Sequence, residues 1–202
     1  MTPRLRAARQ PPEKRRALLL QAARTCLSKH GLRGFTLKNI ADEGGVSVGL
    51  INHYYDGVED LLQAVFNSVM FELPSVGAGE PQDLETAITS LRDVVEKNFA
   101  PGYYSRENLL IWLPIYEEMV LNPKRRRSLG KQDQKYVDKV ARHIAAVARF
   151  RDLTLDAPQI AYDFLAFLDG LWLRWCLSAR KDTRREKEAA LRFLEYELGP
   201  LR

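Results

Sequence analysis

The polar residues with the types and spacing for chemistry lie close together in one short segment, residues 44–62. This segment reads GGVSVGLINHYYDGVEDLL, and it places a serine, an asparagine, a histidine and two tyrosines between a glycine pair and an Asp-Gly turn. Short donors and acceptors on a narrow helix can contact base edges in a major groove, while hydroxyls and helix N-terminal amides can bind phosphates. The segment therefore indicates contact with DNA. The alternative is an ordinary helical hairpin whose polar residues face water.

No residue pattern typical of catalysis or of a metal site occurs elsewhere in the sequence. The histidines His30, His53 and His143 fall in separate helical contexts, and no Cys/His cluster has metal-ligand spacing. The basic run PKRRRSLGK at 123–131 lacks the glycine-rich loop of a nucleotide site. We therefore expect no enzyme, no metal and no cofactor.

Positive charge is concentrated at the N-terminal end of the chain. Residues 1–38 hold ten Lys/Arg and one acid, whereas the remaining residues hold 21 Lys/Arg and 25 acids. Such a distribution is expected if the N-terminal end binds a polyanion, and a solvated basic tail is the alternative.

The composition is typical of a globular protein, because 46% of the 202 residues are hydrophobic. No apolar run approaches the roughly 18 to 20 residues of a membrane helix, and the N-terminus MTPRLRAARQPPEKRR lacks the apolar stretch of a secretory signal. These features predict a cytoplasmic protein without membrane contact. Cys26 and Cys176 lie in apolar helical patterns and are expected to be reduced core thiols.

The spacing of apolar residues predicts an all-α chain of about nine helices. A proline-containing basic arm at 1–12 precedes an N-terminal DNA-binding domain at 13–73. The loop PSVGAGEPQ at 74–82 separates it from a second domain at 83–202. Asn122, Asp156 and a capping box formed by Thr183 and Glu186 mark helix starts in the second domain. The predicted helices are 13–30, 37–45, 48–55, 58–73, 83–99, 105–121, 123–150, 157–179 and 183–198.

Residues 36–55 have the lengths of a helix-turn-helix unit. Thr36 and Ser47 are predicted to cap its two short helices, and Gly45 lies where the chain must turn with positive φ. Ile40, Ala41, Val46 and Ile51 supply the apolar contacts between these helices. The remaining face of the second helix would display Ser47, Val48, Asn52 and His53, with Tyr54 and Tyr55 at its far end.

The stretch FTLKNIADEGGVSVGLINHYYDGVEDLL resembles the DNA-binding signature of TetR-family repressors. In that signature a capped helix and an A-G-V-S-type turn precede a helix that ends in a Tyr-aromatic pair, and the match covers about residues 15 to 70. The resemblance implies that Thr36 and Tyr54 bind phosphates and that Tyr55 packs inside. It also implies that a set of residues faces bases or the DNA backbone: Ser47, Val48, Gly49, Asn52 and His53.

The chain departs from the family pattern at two positions. Asn52 stands where the family often has tyrosine, which leaves the base preference open. Val58 stands where the family usually has lysine, so that a phosphate contact is absent or replaced. The replacement could come from Lys38 or from the arm residues Arg4, Arg6 and Arg9.

The resemblance implies that the C-terminal helices form a ligand pocket and a dimer interface. Leu165, Asp169, Trp172 and Cys176 share one helical stripe, and Asp169 is expected in surroundings of low polarity beside an indole. In the ligand interpretation Asp169 and Trp172 hold an organic cation, and Tyr103, Tyr104 and Trp112 add walls. In the alternative the aromatic residues are core, and Asp169 bonds a helix end or another chain.

The stretches AFLDGLWLRWCLS and IWLPIYEEMVLNPKRRRSL are similar to the choline-responsive, BetI-like branch of the family. This similarity implies a small quaternary ammonium effector, such as choline or its aldehyde. Within the second stretch, Pro114 removes a backbone donor and is expected to kink its helix.

The helices at 157–179 and 183–198 are the expected homodimer interface. Ala166 and Gly170 permit close approach of a partner, and a two-fold dimer would match a palindromic operator in double-stranded DNA. The residues expected to add apolar contact with the partner are Ala189, Ala190, Phe193 and Leu194.

Taken together, these patterns predict a ligand-responsive transcriptional repressor. One alternative is a helical ligand-binding or interaction protein without sequence-specific DNA binding, which the absence of lysine at Val58 favours slightly. Another is an enzyme that uses the C-terminal cavity.

Overall fold

The computed structural model describes residues 11–73, 76–77 and 79–201. Its described residues contain nine α-helices and no strand, which confirms the predicted all-α fold. A short 3₁₀ turn at Leu32–Gly34 was not predicted. The helices are α1 (Pro12–His30), α2 (Leu37–Gly44), α3 (Val48–Tyr54), α4 (Gly57–Phe71), α5 (Leu84–Asn98), α6 (Arg106–Leu121), α7 (Pro123–Phe150), α8 (Ala157–Cys176) and α9 (Arg184–Leu198).

Side-chain caps define several of the helix starts. The Asn122 side chain accepts hydrogen bonds from the N–H groups of Lys124 and Arg125 at the start of α7. The Asp156 carboxylate accepts from the N–H of Gln159 at the start of α8. These caps satisfy N–H groups that have no partner within the helix, and both were predicted.

One predicted helix end and one predicted capping box in the second half of the chain are wrong. α8 ends at Cys176 rather than near residue 179, because the Arg106 guanidinium binds the carbonyl oxygens of Cys176 and Ser178. The capping box is also absent, since Thr183 makes no side-chain cap and Glu186 is only 8% exposed. The Glu186 carboxyl is therefore turned into the protein rather than back towards Thr183.

The helices form two compact units. The first contains the described residues up to Phe71 together with Leu110–Glu118 of α6. In it, α1 packs on α2 and α4, and α2 packs on α3. Leu27, Ile51 and Phe66 are fully buried in its core.

The second unit contains the described part of Glu72–Leu109 and of Met119–Arg202. In it, α7 packs along α5 and α8, while α9 packs on α8 and α5. Ile144, Phe164 and Leu194 are fully buried in its core. The predicted domain bounds of 13–73 and 83–202 stay a prediction.

The N-terminal arm and the two cysteine thiols were also predicted from the sequence. The predicted arm at 1–12, including Arg4, Arg6 and Arg9, lies outside the described residues up to residue 10, and Pro12 already belongs to α1. Cys26 is buried and Cys176 half-buried, and both are free thiols. Among the described helices, none combines the length and the apolar character that a membrane span requires.

Candidate functional site

The N-terminus of α2 presents a hydroxyl at the surface. Thr36 is exposed, and its Oγ1 accepts a hydrogen bond of 3.2 Å from the N–H of Asn39. The Asn39 amide in turn donates to the carbonyl oxygen of Gly34 at 2.8 Å. A capping hydroxyl keeps its own proton free to donate, so Thr36 can cap the helix and also bind an anion. Lys38, which is exposed in the same turn, adds positive charge.

The turn between α2 and α3 depends on a left-handed glycine. Gly45 has φ 60° and ψ 31°, as the sequence predicted, and its N–H donates to the carbonyl oxygen of Asp42. The next N–H, of Val46, donates to the carbonyl oxygen of Ala41 at 3.0 Å. This pair of bonds is a Schellman helix end, which residues with a Cβ adopt at a cost. It fixes the direction in which α3 leaves the turn.

Helix α3 has one buried and one exposed side. Ile51 is fully buried, and the Ser47 Oγ accepts a hydrogen bond of 3.2 Å from the N–H of Leu50 at the helix start. Tyr54 is half-buried at the other end. The residues predicted to face DNA are all exposed, namely Ser47, Val48, Gly49, Asn52 and His53. Their contacts with DNA stay a prediction.

Arg16 of α1 holds the far end of α3, a role that was not predicted from the sequence. Its guanidinium carbon lies 5.7 Å from the ring centroids of both Tyr54 and Tyr55. The Tyr55 hydroxyl donates to the carbonyl oxygen of Arg16 at 3.5 Å, and its ring is 8% exposed. Burial raises the pKa of Tyr55, while the nearby Arg16 charge lowers it. Only the cluster of basic residues in α1 could have indicated this role from sequence.

The start of α4, where the family usually has lysine, is acidic in this chain. Val58 is half-buried, and Glu59 and Asp60 follow in the first turn. The Asp60 carboxylate accepts a hydrogen bond of 3.0 Å from the N–H of Asp56. This helix start is therefore neutralised by its own acid and repels a phosphate.

Three of the five residues predicted for a ligand site form an aromatic stack in the second unit. The Trp172 ring stacks on Tyr103 with centroids 5.7 Å apart and on Tyr104 with centroids 5.9 Å apart. The Trp172 Nε1–H donates to the carbonyl oxygen of Ser105 at 3.2 Å, which fixes the indole. Burial raises the pKa of both tyrosines. Their hydroxyls are therefore neutral, and stacked rings of this kind can attract a cation.

The expectation that Asp169 lies in surroundings of low polarity is wrong. Asp169 is exposed rather than buried. Its carboxylate is still near the stack. Burial is the main cause of the raised pKa of Tyr103 and of Tyr136, and the negative charge of Asp169 raises both pKa values further.

Trp112 belongs to the part of α6 that groups with the first unit. Its ring contacts Tyr116 with centroids 5.6 Å apart, and it is 6% exposed. Among the described residues, the Trp112 Nε1–H has no hydrogen-bond acceptor. Trp112 is therefore a candidate for polar contact, and the Tyr104 hydroxyl likewise has no hydrogen-bond partner among the described residues.

A carboxylate that sequence reasoning assigned to a helix cap is buried near the stack. Glu186 is 8% exposed, and its Oε2 has no hydrogen-bond partner among the described residues. Burial is the main cause of the raised pKa of Tyr104, and the charge of Glu186 raises that pKa further. Burying a carboxylate oxygen without a hydrogen-bond partner is costly, and a bound cation would lower that cost.

The outer sides of α8 and α9 are exposed and partly apolar. Ala166 and Gly170 are exposed, and Tyr162, Leu177 and Tyr196 are 62%, 77% and 88% exposed. By contrast, the expectation that Ala190 and Leu194 contact a partner is wrong. Both are fully buried within the chain, since α9 packs on α8 and α5 through this side. Ala189 and Phe193 are half-buried, and Phe193 stacks on Phe167 with centroids 5.4 Å apart.

Among the described residues, no group of three or more His, Cys, Asp and Glu side chains is placed to hold a metal ion.

Comparison with known proteins gives two family matches and several relatives. Residues 19–65 match the family described as bacterial regulatory proteins, tetR family, and residues 87–199 match BetI-type transcriptional repressor, C-terminal. The HTH-type transcriptional regulator BetI 1 of Chromohalobacter salexigens is 26% identical over 187 residues, which cover 92% of this chain and 91% of that protein.

Solved structures also resemble this chain. A crystal structure described as a transcriptional regulator from Pseudomonas aeruginosa PAO1 has a TM-score of 0.77 and 29% identity, over 95% of this chain and 94% of that one. A regulator from Saccharomonospora viridis, described in complex with choline, has a TM-score of 0.71 and 21% identity, over 92% and 98% of the two chains. The latter likeness concerns the fold alone.

Proposed function

Because the chain belongs to the TetR family of bacterial regulatory proteins and has the C-terminal domain of BetI-type transcriptional repressors, we propose that it binds a palindromic operator in double-stranded DNA as a homodimer. In this proposal, a small organic cation releases the homodimer from the operator. Membership of this family makes the chain a DNA-binding transcriptional regulator and not an enzyme.

The exposed side of α3 is the observation that carries the DNA-binding proposal. Ser47 caps the helix, Ile51 anchors it and Gly45 sets its direction, so the outward residues have fixed positions. In the proposal, Thr36, Lys38 and Tyr54 bind phosphates, because two carry hydroxyls and one an ammonium group. The residues that contact base edges or backbone are Ser47, Val48, Gly49, Asn52 and His53.

The proposed effector is a small quaternary ammonium compound such as choline. The stacked rings of Tyr103, Tyr104 and Trp172 offer π faces to a cation. The carboxylates of Asp169 and Glu186 lie near Tyr103 and Tyr104, respectively, and supply the opposite charge. A regulator of similar fold is described in complex with choline. Trp112, which belongs to the first unit, stays a separate prediction from the sequence.

Effector and DNA are coupled through the dimer in this proposal. A two-fold dimer through α8 and α9 presents two copies of α3 to half-sites on one side of the duplex. A ligand that favours a wider spacing of the two recognition helices shifts the dimer away from its operator-competent state. A protein with this role works in the cytoplasm, where the chromosome is.

A mobility-shift titration tests the DNA-binding part of the proposal. The duplex is the upstream region of the chain's own gene, and the control is a scrambled duplex of the same length and composition. We expect retention of the upstream duplex alone at moderate salt, with a steep fall in affinity as salt rises. Equal, weak retention of both duplexes would instead favour a helical ligand-binding protein without sequence-specific DNA binding.

A further inference from the structure

The second unit has a recess that the proposed cation site does not account for. It has a volume of about 620 Å³ and lies between the end of α5, the loop after α8 and the start of α9. This volume is within the range of pockets that bind small molecules. We call it the α5–α9 recess. It shares Tyr104 with the aromatic stack, but Tyr103 and Trp172 are not among its described lining residues.

The floor of the α5–α9 recess is aromatic and rigid. Phe99 and Tyr104 have ring centroids 4.5 Å apart, and those of Tyr104 and Trp175 are 5.0 Å apart. Each ring is 6% or 7% exposed, so its edge contributes to the lining while its body is fixed in the core. Such rings favour a flat apolar partner, which can contact them edge to face or by offset stacking.

The rim of the α5–α9 recess is basic. Lys181, Arg184 and Lys187 line it, and Asp182 is the only acid among the described lining residues. Asp182 is already paired with Arg180 at 3.1 Å, which holds the pKa of its carboxyl below the ordinary value.

The cations of the rim differ in their partners. Lys187 is paired with Glu96 at 2.6 Å. The side chains of Lys181 and Arg184 have no ion-pair partner among the described residues. Two exposed, unpaired cations therefore lie at the edge of an aromatic floor, an arrangement that complements an anion.

The loop that carries this rim is held in place before any ligand binds. The Arg106 guanidinium donates to the carbonyl oxygens of Cys176 at 3.1 Å, Ser178 at 2.6 Å and Arg180 at 3.3 Å. It also lies 4.9 Å over the Trp175 ring, whose Nε1–H donates to the carbonyl oxygen of Asp182 at 2.9 Å. A preorganised site costs less ordering free energy when a ligand binds.

We propose that the α5–α9 recess binds a small organic anion with a flat apolar body, of the class of aromatic carboxylates. The apolar body contacts Phe99, Tyr104 and Trp175, and the carboxylate lies between Lys181 and Arg184. The charge of this ligand is opposite to that of the proposed cation effector. This proposal therefore stands whether or not the chain responds to choline.

Calorimetric titration of the full chain with 2-naphthoate tests the proposal, with 2-naphthamide as an uncharged ligand of the same shape. We expect the naphthoate to bind at least about tenfold more tightly than the amide, because charge-assisted hydrogen bonds form only with the carboxylate. Equal affinities, or no naphthoate binding at low millimolar concentration, would overturn the proposal.

Variants at the rim and directly beside it test where the carboxylate of the ligand binds. Arg184 lines the α5–α9 recess, whereas the neighbouring Arg185 is exposed and does not line it. Arg184→Ala combined with Lys181→Ala is expected to weaken naphthoate binding by about tenfold or more, since both charges are removed. Arg185→Ala is expected to change it by less than about twofold, as for other surface charges. Similar losses in the two variants would contradict the assigned site.

Fluorine NMR of the chain labelled with 5-fluorotryptophan gives an independent location. The chain has three tryptophans, and Trp175→Phe identifies the Trp175 resonance by its loss. We expect naphthoate to shift the Trp175 resonance and to leave that of Trp112 unchanged. A shift confined to Trp112 would place the ligand elsewhere and overturn the proposal.

Discussion

Thr36 and Asn52 contribute different kinds of contact to the proposed DNA interface. Thr36 is at the start of α2, where its hydroxyl can reach a phosphate, and Asn52 faces outward from α3. Thr36→Ala is expected to weaken binding to every duplex by a similar factor. Asn52→Ala is expected to cost about 1 to 3 kcal/mol against the operator alone. Anisotropy titrations on the operator and on single-base variants separate the two effects, and a uniform loss for Asn52→Ala would contradict its assignment.

Glu186 and Asp169 are both carboxylates near the aromatic stack, but their burial differs. Glu186 is 8% exposed with one unpaired oxygen, whereas Asp169 is exposed to solvent that screens its charge. Glu186→Gln is therefore expected to weaken choline binding by about tenfold, and Asp169→Asn by a smaller factor. Calorimetry measures both.

The uncharged choline analogue 3,3-dimethyl-1-butanol is the control for this pair of variants. Its affinity is expected to be the same for the original chain and for Glu186→Gln, because it has no charge to lose. A larger effect from Asp169→Asn than from Glu186→Gln on choline would contradict the role given to the buried carboxylate.

Glu186 and Asp169 show which property of a single residue the sequence does not predict, namely its burial. Helical spacing placed Asp169 and Trp172 in one stripe of α8, but spacing does not say which residues the neighbouring helices cover, and Asp169 is exposed while Trp172 is buried. Glu186 fitted a capping pattern by its distance from Thr183, and tertiary packing turned it inward instead. Burial of a single polar residue depends on contacts that are remote in sequence.

At the scale of elements, the turn between α2 and α3 gives a direct stability test. A Cβ at Gly45 would meet open space, so the cost of Gly45→Ala comes from its left-handed backbone alone, about 1 kcal/mol or somewhat more. Gly49, within α3, is the matched control, because its nearest neighbour for a Cβ is the Ser47 Oγ at 3.9 Å. Gly49→Ala is expected to stabilise the helix by up to about 1 kcal/mol. Urea unfolding measures both, and a stabilising Gly45→Ala would contradict the account.

Helix starts were predictable because their signals are local. Asn122 and Asp156 form the caps that their positions before proline-containing helix starts indicated. The end of α8 was not predictable, since it is set by Arg106, which lies about 70 residues earlier in the chain. At the start of α4, the sequence predicted only that a lysine contact is missing at Val58. The hydrogen bond that the Asp60 carboxylate accepts there was not predicted.

At the scale of the whole molecule, the proposed dimer brings together α8 and α9 of two chains. Leu177, just after α8, and Tyr196 of α9 are 77% and 88% exposed, which is consistent with contact with a partner. Gly170→Arg is expected to convert the dimer into a monomer of 23.1 kDa, because the new side chain meets open space in one chain but blocks a close partner. Light scattering measures the mass.

Gly130→Arg in α7 is the control for this change. A Cβ at Gly130 also meets open space, but α7 is not part of the proposed interface. The dimer is expected to persist in this variant. Dissociation by Gly130→Arg, or an intact dimer with Gly170→Arg, would contradict the assignment of the interface to α8 and α9.

Release of the operator by choline is the decisive test of an effector-controlled repressor. The measurement is the anisotropy of a labelled operator duplex, bound by the chain and titrated with choline to millimolar concentration, beside the same titration with the Glu186→Gln chain. Choline is expected to release the original chain, whereas the variant is expected to bind the operator equally well and to require about tenfold more choline. An operator complex that choline leaves intact in the original chain would rule out choline as the effector.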